Sequence, residues 1–288
     1  SKAAAERSAL GGTNACTGGY FPSMHTFLTT CGLPMSRRVQ FFSDPGIRQA
    51  SIKNSGTQSA IYTATYSTGT GLFTDNLNQT LAQVLAGTDA AAMSLQNLYI
   101  EQTGVIAGNA PSGVAWNAVL NLNGAYDSKH YNLTIDRNAG AAIGSLRVSK
   151  SFRLHFDGLY ILSNSGIVGA TGVQILDQNS AGSIYNLSIQ GPWDIGITID
   201  DNADATNGFT LVNPRIETHG ASGNAIGLRC NARSVTVLGG YIERVRRAFD
   251  LGTIGGSACL APTILGTFIG TDANTTDFAA LNNVQNGT

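Results

Sequence analysis

Charge is scarce in this sequence. Lys and Arg together number 17 and Asp and Glu 18 among 288 residues, a formal net charge of −1. That balance gives neither the basic field of a nucleic-acid-binding surface nor a polybasic membrane anchor. No apolar run approaches the ~18 residues that a membrane-spanning helix requires, so no membrane insertion is expected. Proline is sparse at 7 residues. The four cysteines, at positions 16, 31, 230 and 259, match neither zinc-ligand spacing nor a CxxC redox motif. They read as small buried hydrophobes; should a disulfide form, Cys16 with Cys31 is the favoured pair. Nucleotide loops, HExxH and GxSxG elbows are absent, and His25, His130, His155 and His219 form no recognisable triad. No cofactor and no metal site is expected.

What the sequence has instead is glycine, 35 residues of it, and a phrase that returns. QNLYIEQ, YNLTIDR, YNLSIQG, VNPRIET, LGGYIER and LGTFIGT share an isoleucine with Asn or Gly three residues before it. The series Ile100, Ile135, Ile161, Ile189, Ile216, Ile242 and Ile269 advances by 35, 26, 28, 27, 26 and 27 residues. A period near 27, held this long, is architecture. Three residues earlier stand Asn97, Asn132, Gly158, Asn186, Asn213, Gly239 and Gly266. Asn and Gly are the residues that best tolerate a left-handed backbone, so each unit turns a corner at this place. The Asn-x-Ser/Thr sequons at Asn132 and Asn186 therefore read as corners rather than glycan sites.

Alternating apolar residues flank the corner, as in Leu95, Phe156, Ile184 and Leu211, which predicts short strands with one buried face. His130 falls in the same inward series and reads as a core residue. Another strand recurs at Leu120/Leu122, Leu146/Val148, Val173/Ile175, Ile197/Ile199, Ile226/Leu228 and Phe249/Leu251. Three short strands per ~27 residues, with copies in parallel register, define an all-β fold: a single-stranded parallel β-helix. Coils stack at ~4.8 Å, and corner Asn side chains are expected to hydrogen-bond along the column.

The first 60 residues carry a different signature. AAAERSAL (3–10) predicts a helix closed by Gly11-Gly12, and GGYFP leads to GLPM, VQF and a small coil ending in ASI. This opening resembles that of pectin-lyase-like right-handed β-helices, most closely the branch found in bacteriophage tailspikes and capsule depolymerases. The resemblance implies a right-handed coil, a helix that caps its open end, and a homotrimer in a virion tail. It also implies a bacterial surface polysaccharide (capsule or O-antigen) as partner, with other phage tail or baseplate proteins reached through further segments. Members of that family carry an Asp-rich stretch ahead of the cap helix, whereas this chain opens inside the helix, which points to a piece of a longer protein. The expected organisation is a capping helix and turn over 1–17 and a β-helix over 18–288. Within the latter lie opening coils (18–72), an inserted helix or loop (73–92) and regular coils (93–288). The insert DNLNQTLAQVLAG (75–87) has an apolar helical face, with Asp75 or Asn76 as N-cap.

Chemistry must then come from outward-facing side chains. The residues just before each repeat Ile form one column (Tyr99, Thr134, Tyr160, Ser188, Arg215, Tyr241, Phe268), and those just after form another (Glu101, Asp136, Leu162, Gln190, Glu217, Glu243). Aromatic rings stack on sugars, and charged groups grip hydroxyls or uronic acids. Glu217 and Glu243, one coil apart, are the leading candidates for a paired-carboxylate glycosidase; Arg215, His219 and Arg244 either serve substrate or neutralise the pair. A second candidate is Asp200, Asp201 and Asp204 in ITIDDNAD, with Asp177 one coil below and Arg229 one coil above Asp200, which reads as an inverting pair, as a Ca²⁺ ligand set or as a solvated turn. Trp193 is either a sugar platform or a ring packed under a loop. Tyr160, Trp193, Arg215, His219, Tyr241 and Arg244 are thus the candidate substrate-binding residues. The rival readings are a non-catalytic receptor-binding or structural shaft, and a bacterial polysaccharide lyase.

Overall fold

The computed structural model describes residues 18–36, 39–45, 48–66, 73–80, 82–84, 92–138, 144–163, 170–177, 179–199, 206–218, 225–252, 259–270, 277–281 and 284–285. The expected capping helix and Cys16 lie outside them. The fold is the expected parallel β-helix. One long sheet stacks Ser94–Gln102, Lys129–Arg137, His155–Ser163 and Ser183–Gly191, followed by pairs of shorter strands on the same line. A second sheet runs from Leu33–Met35 through Ile61–Tyr66, Ala118–Asn123, Gly144–Ser149, Thr171–Leu176, Ile195–Ile199, Ile226–Cys230 and Arg247–Leu251 to Asp277–Leu281.

The repeat isoleucines pair directly with one another from Ile100 to Ile269. The column continues backwards through Ile52 to Phe27. Every member from Ile52 to Ile242 is buried, with Leu98, Leu133, Leu159 and Leu187 beside it. All seven predicted corner residues have positive φ, between 49° at Asn132 and 71° at Gly158. At the start of the column the side-chain amides form a ladder: Asn132 Nδ2 donates to Asn97 Oδ1 and Asn97 Nδ2 to the Ser43 carbonyl, both at 3.0 Å. Above Gly158 the ladder is broken, and Asn186 Nδ2 turns to Asp157 Oδ1 at 2.9 Å.

A second corner column lies five residues before the first. Ala92, Asp127, Arg153, Ala181, Gly208, Ser234 and Ala261 all have positive φ, from 46° to 66°. Only one is glycine, so residue type does not announce this corner. It is imposed by hydrogen bonds between coils: the N–H of each of the first six donates to the carbonyl of Tyr126, Phe152, Ser180, Asn207, Arg233 and Leu260 in turn, at 2.6–3.2 Å. The left-handed conformation, ~1–2 kcal/mol unfavourable for an L-residue, is offset because the straight alternative would give up the hydrogen bond to the next coil.

The structure corrects the third-strand register. Ile199 pairs with Cys230 and Ile197 with Leu228, two residues away from the alignment of Ile199 with Leu228. A shift of two leaves the alternation of faces unchanged, so the pattern alone cannot detect it. The insert is also different from expectation. Asp75 ends the strand Phe73–Asp75, which runs antiparallel to Ile61–Tyr66. Thr80 and Gln83 form a capping box, Thr80 N–H to Gln83 Oε1 (2.8 Å) and Gln83 N–H to Thr80 Oγ1 (3.3 Å), ahead of helical residues 82–84.

The interior carries an ordered polar line beside the isoleucines. Asn54, Gln102, Arg137, Ser163 and Thr218 are all buried. Asn54 Nδ2 donates to Gln102 Oε1 (2.9 Å), and Arg137 Nε and Nη2 donate to Ser163 Oγ (3.2 and 3.0 Å). The Arg137 guanidinium carbon also lies 3.9 Å from the centre of the Trp193 ring. Burial lowers the Arg137 pKa to about 10, opposed by the nearby Asp194 charge, so the guanidinium stays protonated at neutral pH.

Candidate functional site

The outer face of the long sheet carries three columns in strict register. The column before the isoleucines pairs Tyr99, Thr134, Tyr160, Ser188, Arg215, Tyr241 and Phe268 in order. The column after them pairs Glu101 with Asp136, Asp136 with Leu162, and Glu217 with Glu243. The third column, at the slot before each corner, runs Gln96, Tyr131, Asp157, Tyr185, Val212, Leu238 and Leu265. Strand alternation sends the columns before and after the isoleucines to the same side, and the left-handed corner resets the alternation so that the third column also faces outward, as the exposed Tyr131 and Tyr185 show.

Glu217 and Glu243 are brought together as expected, in directly paired positions ~4.8 Å apart along the sheet. Each carboxylate already has a partner in its own strand. Arg215 Nε donates to Glu217 Oε1, and the Tyr241 hydroxyl donates to Glu243 Oε2. The Tyr241 ring stacks on Phe268 with centroids 5.5 Å apart and planes 7° from parallel. Tyr160 is 44% exposed. Arg244 is exposed and follows the strand Tyr241–Glu243 at φ 57°. Asp200, Asp201, Asp204 and His219 lie outside the described residues.

Two sequence readings are overturned. Trp193 is fully buried, with Nε1 donating to the Gln190 carbonyl (3.2 Å) and Arg137 over its ring, so it is core and no sugar platform. Arg229 does not stand above Asp200: the register shift places it beside Thr198, and its Nε meets Asp250 Oδ2 at 3.1 Å. Asp177 is likewise occupied, 3.7 Å from Arg147.

The face also contains a groove that the sequence did not reveal. About 530 Å³ of open space is lined by Arg48, Gln49, Ser51, Tyr99, Asn132, Thr134 and Tyr160. Gln49 seals one wall by donating from Nε2 to the Asn132 carbonyl (2.6 Å) and accepting from the Thr134 hydroxyl (2.9 Å). Gln49 and Asn132 are 83 residues apart in the chain, which is why no local pattern announces this wall. Beneath the groove, the Tyr99 hydroxyl donates to Asp136 Oδ2. Asp136 was expected to face outward but is only 1% exposed. Burial pushes its carboxyl up; the Tyr99 hydrogen bond opposes this, and the neighbouring Glu101 charge adds to it. The Tyr99 hydroxyl is itself pushed well up, first by burial and then by Asp136. Glu101 is held by Lys53 (3.4 Å) and Asn138 Nδ2 (3.0 Å).

Beside the groove, Tyr131 (37%) and Tyr185 (39%) are exposed, with the His155 ring 6.1 and 5.1 Å from theirs. Both occupy the first position of the YNL phrase. That shared slot was the available signal for an aromatic strip.

Fold and face together define a parallel β-helix with one outer sheet presenting aromatic rings, carboxylates and arginine. No family model matches the chain, and no curated protein matches it. Among solved structures, it superposes on the catalytic unit of the thermostable GH87 alpha-1,3-glucanase from Streptomyces thermodiastaticus strain HF3-3 with a TM-score of 0.64 and 10% identity. That match covers 96% of this chain and 47% of the glucanase chain, so this chain spans about half the length of its neighbour. The Streptococcus pneumoniae surface protein and adhesin PfbA aligns with TM-score 0.47 and 11% identity, over 97% of this chain and 91% of that one. The Azotobacter vinelandii mannuronan C-5 epimerase AlgE4 A-module aligns with TM-score 0.36 and 15% identity, over 99% and 89%. The glucanase likeness establishes a shared fold.

Proposed function

We propose that this protein binds and cleaves a bacterial surface polysaccharide along the outer face of its long sheet, as the β-helix of a phage tailspike or capsule depolymerase. The observation that carries the reading is the open groove ending at Tyr160, continued along the same column by Arg215 and Tyr241 to the paired Glu217 and Glu243. Tyr160 supplies a ring for a sugar face, and Arg48 a cation for an anionic substituent. The two glutamates act as acid and as base or nucleophile on a glycosidic bond. Arg215 pairs with Glu217, and the Tyr241 hydroxyl orients Glu243. The alpha-1,3-glucanase on the same fold supports polysaccharide as the substrate class.

In this reading three copies associate in a virion tail alongside other tail or baseplate proteins. The exposed Leu238 (36%), Leu265 (58%) and Phe268 (63%) are available for contacts between copies. A monomer mass by light scattering would remove that part of the proposal.

The test is a reducing-end assay on purified capsule and O-antigen preparations. Wild type is expected to generate new ends. Glu217→Gln and Glu243→Gln are expected to lose at least 100-fold in rate while retaining binding. Activity in both variants would exclude this pair. A second reading, binding without cleavage, is favoured by the partners that already occupy both carboxylates. Glycan binding by wild type with no new ends and no unsaturated-uronate absorbance on any bound glycan would establish it.

A further inference from the structure

The cysteines resolve in a way the sequence spacing did not indicate. Cys230 closes the strand Ile226–Cys230, and Cys259 opens Cys259–Leu260 one coil later. Both are fully buried, and their Sγ atoms stand 2.8 Å apart. Cys230 occupies the slot filled by Leu122, Val148, Ile175 and Ile199 in preceding coils and by Leu251 in the next. Cysteine is therefore the exception in an otherwise aliphatic column, and it is the one member that faces a second cysteine. Cys31 is exposed.

We propose that Cys230 and Cys259 are joined by a disulfide that clamps one complete coil of the β-helix. The closed loop contains the strands Thr236–Leu238, Tyr241–Glu243 and Arg247–Leu251, so the clamp brackets the coil that carries Glu243. Formation is a thiol–disulfide exchange with a small-molecule disulfide such as oxidised glutathione. The Cys259 thiolate attacks one glutathione sulfur, breaking its S–S bond and expelling one glutathione thiolate. The Cys230 thiolate then attacks Cys259 Sγ in the mixed disulfide and expels the second. The protein loses two protons and two electrons, and the glutathione disulfide becomes two thiols. Since both sulfurs are sealed in the folded coil, exchange takes place as this coil closes.

The experiment uses the full chain refolded with oxidised and reduced glutathione, then alkylated with iodoacetamide in guanidinium and digested with trypsin. Cleavage after Arg229, Arg233 and Arg247 gives the peptide 230–233 and the peptide 248–288. The expected result is one species in which these two are linked, separating into both on reduction. Recovery of both as alkylated monomers overturns the proposal. So does linkage of Cys230 or Cys259 to Cys16 or Cys31. A Cys230→Ala variant controls for folding: if it retains the far-ultraviolet circular dichroism of wild type, hydrogen exchange should show faster exchange over 236–265 in both the variant and reduced wild type. Unchanged exchange in reduced wild type would show that no clamp acts on this coil.

Discussion

His130 makes the stability of this β-helix depend on pH in a way that one substitution isolates. The ring is fully buried in the inward column between Leu95 and Phe156, and stacks on Phe156 with centroids 4.7 Å apart. The Leu95 N–H donates to His130 Nδ1 at 3.2 Å, which fixes the neutral tautomer protonated at Nε2. That Nε2 is buried with no hydrogen-bond partner. Burial, with a smaller contribution from the His155 charge, lowers the pKa from 6.5 to about 3. The unfolded chain therefore takes up a proton near pH 6.5 and the folded protein does not until near pH 3. Stability from this group is intact above pH 6.5 and falls as pH drops through that window, by about 3 kcal/mol at pH 4 at 1.36 kcal/mol per pKa unit.

His130→Phe removes the titration and places in this slot the residue that already fills it one coil later. It also leaves the Leu95 amide without its acceptor and removes the unpartnered Nε2, two pH-independent effects of roughly 1–3 kcal/mol each and opposite sign. Urea unfolding at pH 8, 6, 5 and 4 therefore reads the titration from the slope of stability against pH. The loss between pH 8 and 4 should be about 3 kcal/mol smaller in the variant. Carboxylates titrate in both proteins and cancel from this difference. Equal losses in wild type and variant would refute the reasoning.

Other expectations follow from the corners and the core. Ala181→Gly relieves a positive φ of 52° and should raise stability by up to about 1 kcal/mol, read by the same urea titration. Gly239→Ala should destabilise, because an added Cβ would lie 2.7 Å from Asn213 Oδ1 at φ 64°; a loss below about 0.5 kcal/mol would show that the column yields easily. Arg137→Met retains length but abandons the bonds to Ser163 and the Trp193 contact, and should shift the Trp emission spectrum and lower stability by roughly 1.5–3 kcal/mol, the worth of a hydrogen bond to a charged group. Tyr160→Ala should weaken glycan binding about 2- to 12-fold in calorimetry, the loss of one aromatic contact, with the urea midpoint unchanged.

The candidate site was legible in its columns and illegible in its occupancy. Glu217 beside Glu243 followed from counting along the repeat, since paired slots in a parallel ladder are fixed by register. Which carboxylates are covered did not follow: Asp136 and Glu243 share a column, yet Asp136 is sealed under Tyr99 while Glu243 is only partly buried. Trp193 was ambiguous because a lone indole in a turn says nothing of what packs on it, and Arg137 reaches it from two coils away.

Sequence alone determined the coil. Asn or Gly at the first corner and Ile three residues later are local preferences, one for a left-handed backbone and one for a buried β-surface, and such preferences belong to residue type. Tertiary structure alone decided the second corner, the third-strand register and the groove. Ala92, Arg153 and Ser234 adopt positive φ because amides between coils demand it. Cys230 rather than Leu228 meets Ile199 because a two-residue shift preserves alternation and only stacking chooses between registers. The groove exists because Arg48 and Gln49 of an opening coil are folded against Tyr99, Thr134 and Tyr160, residues that no local pattern connects to them.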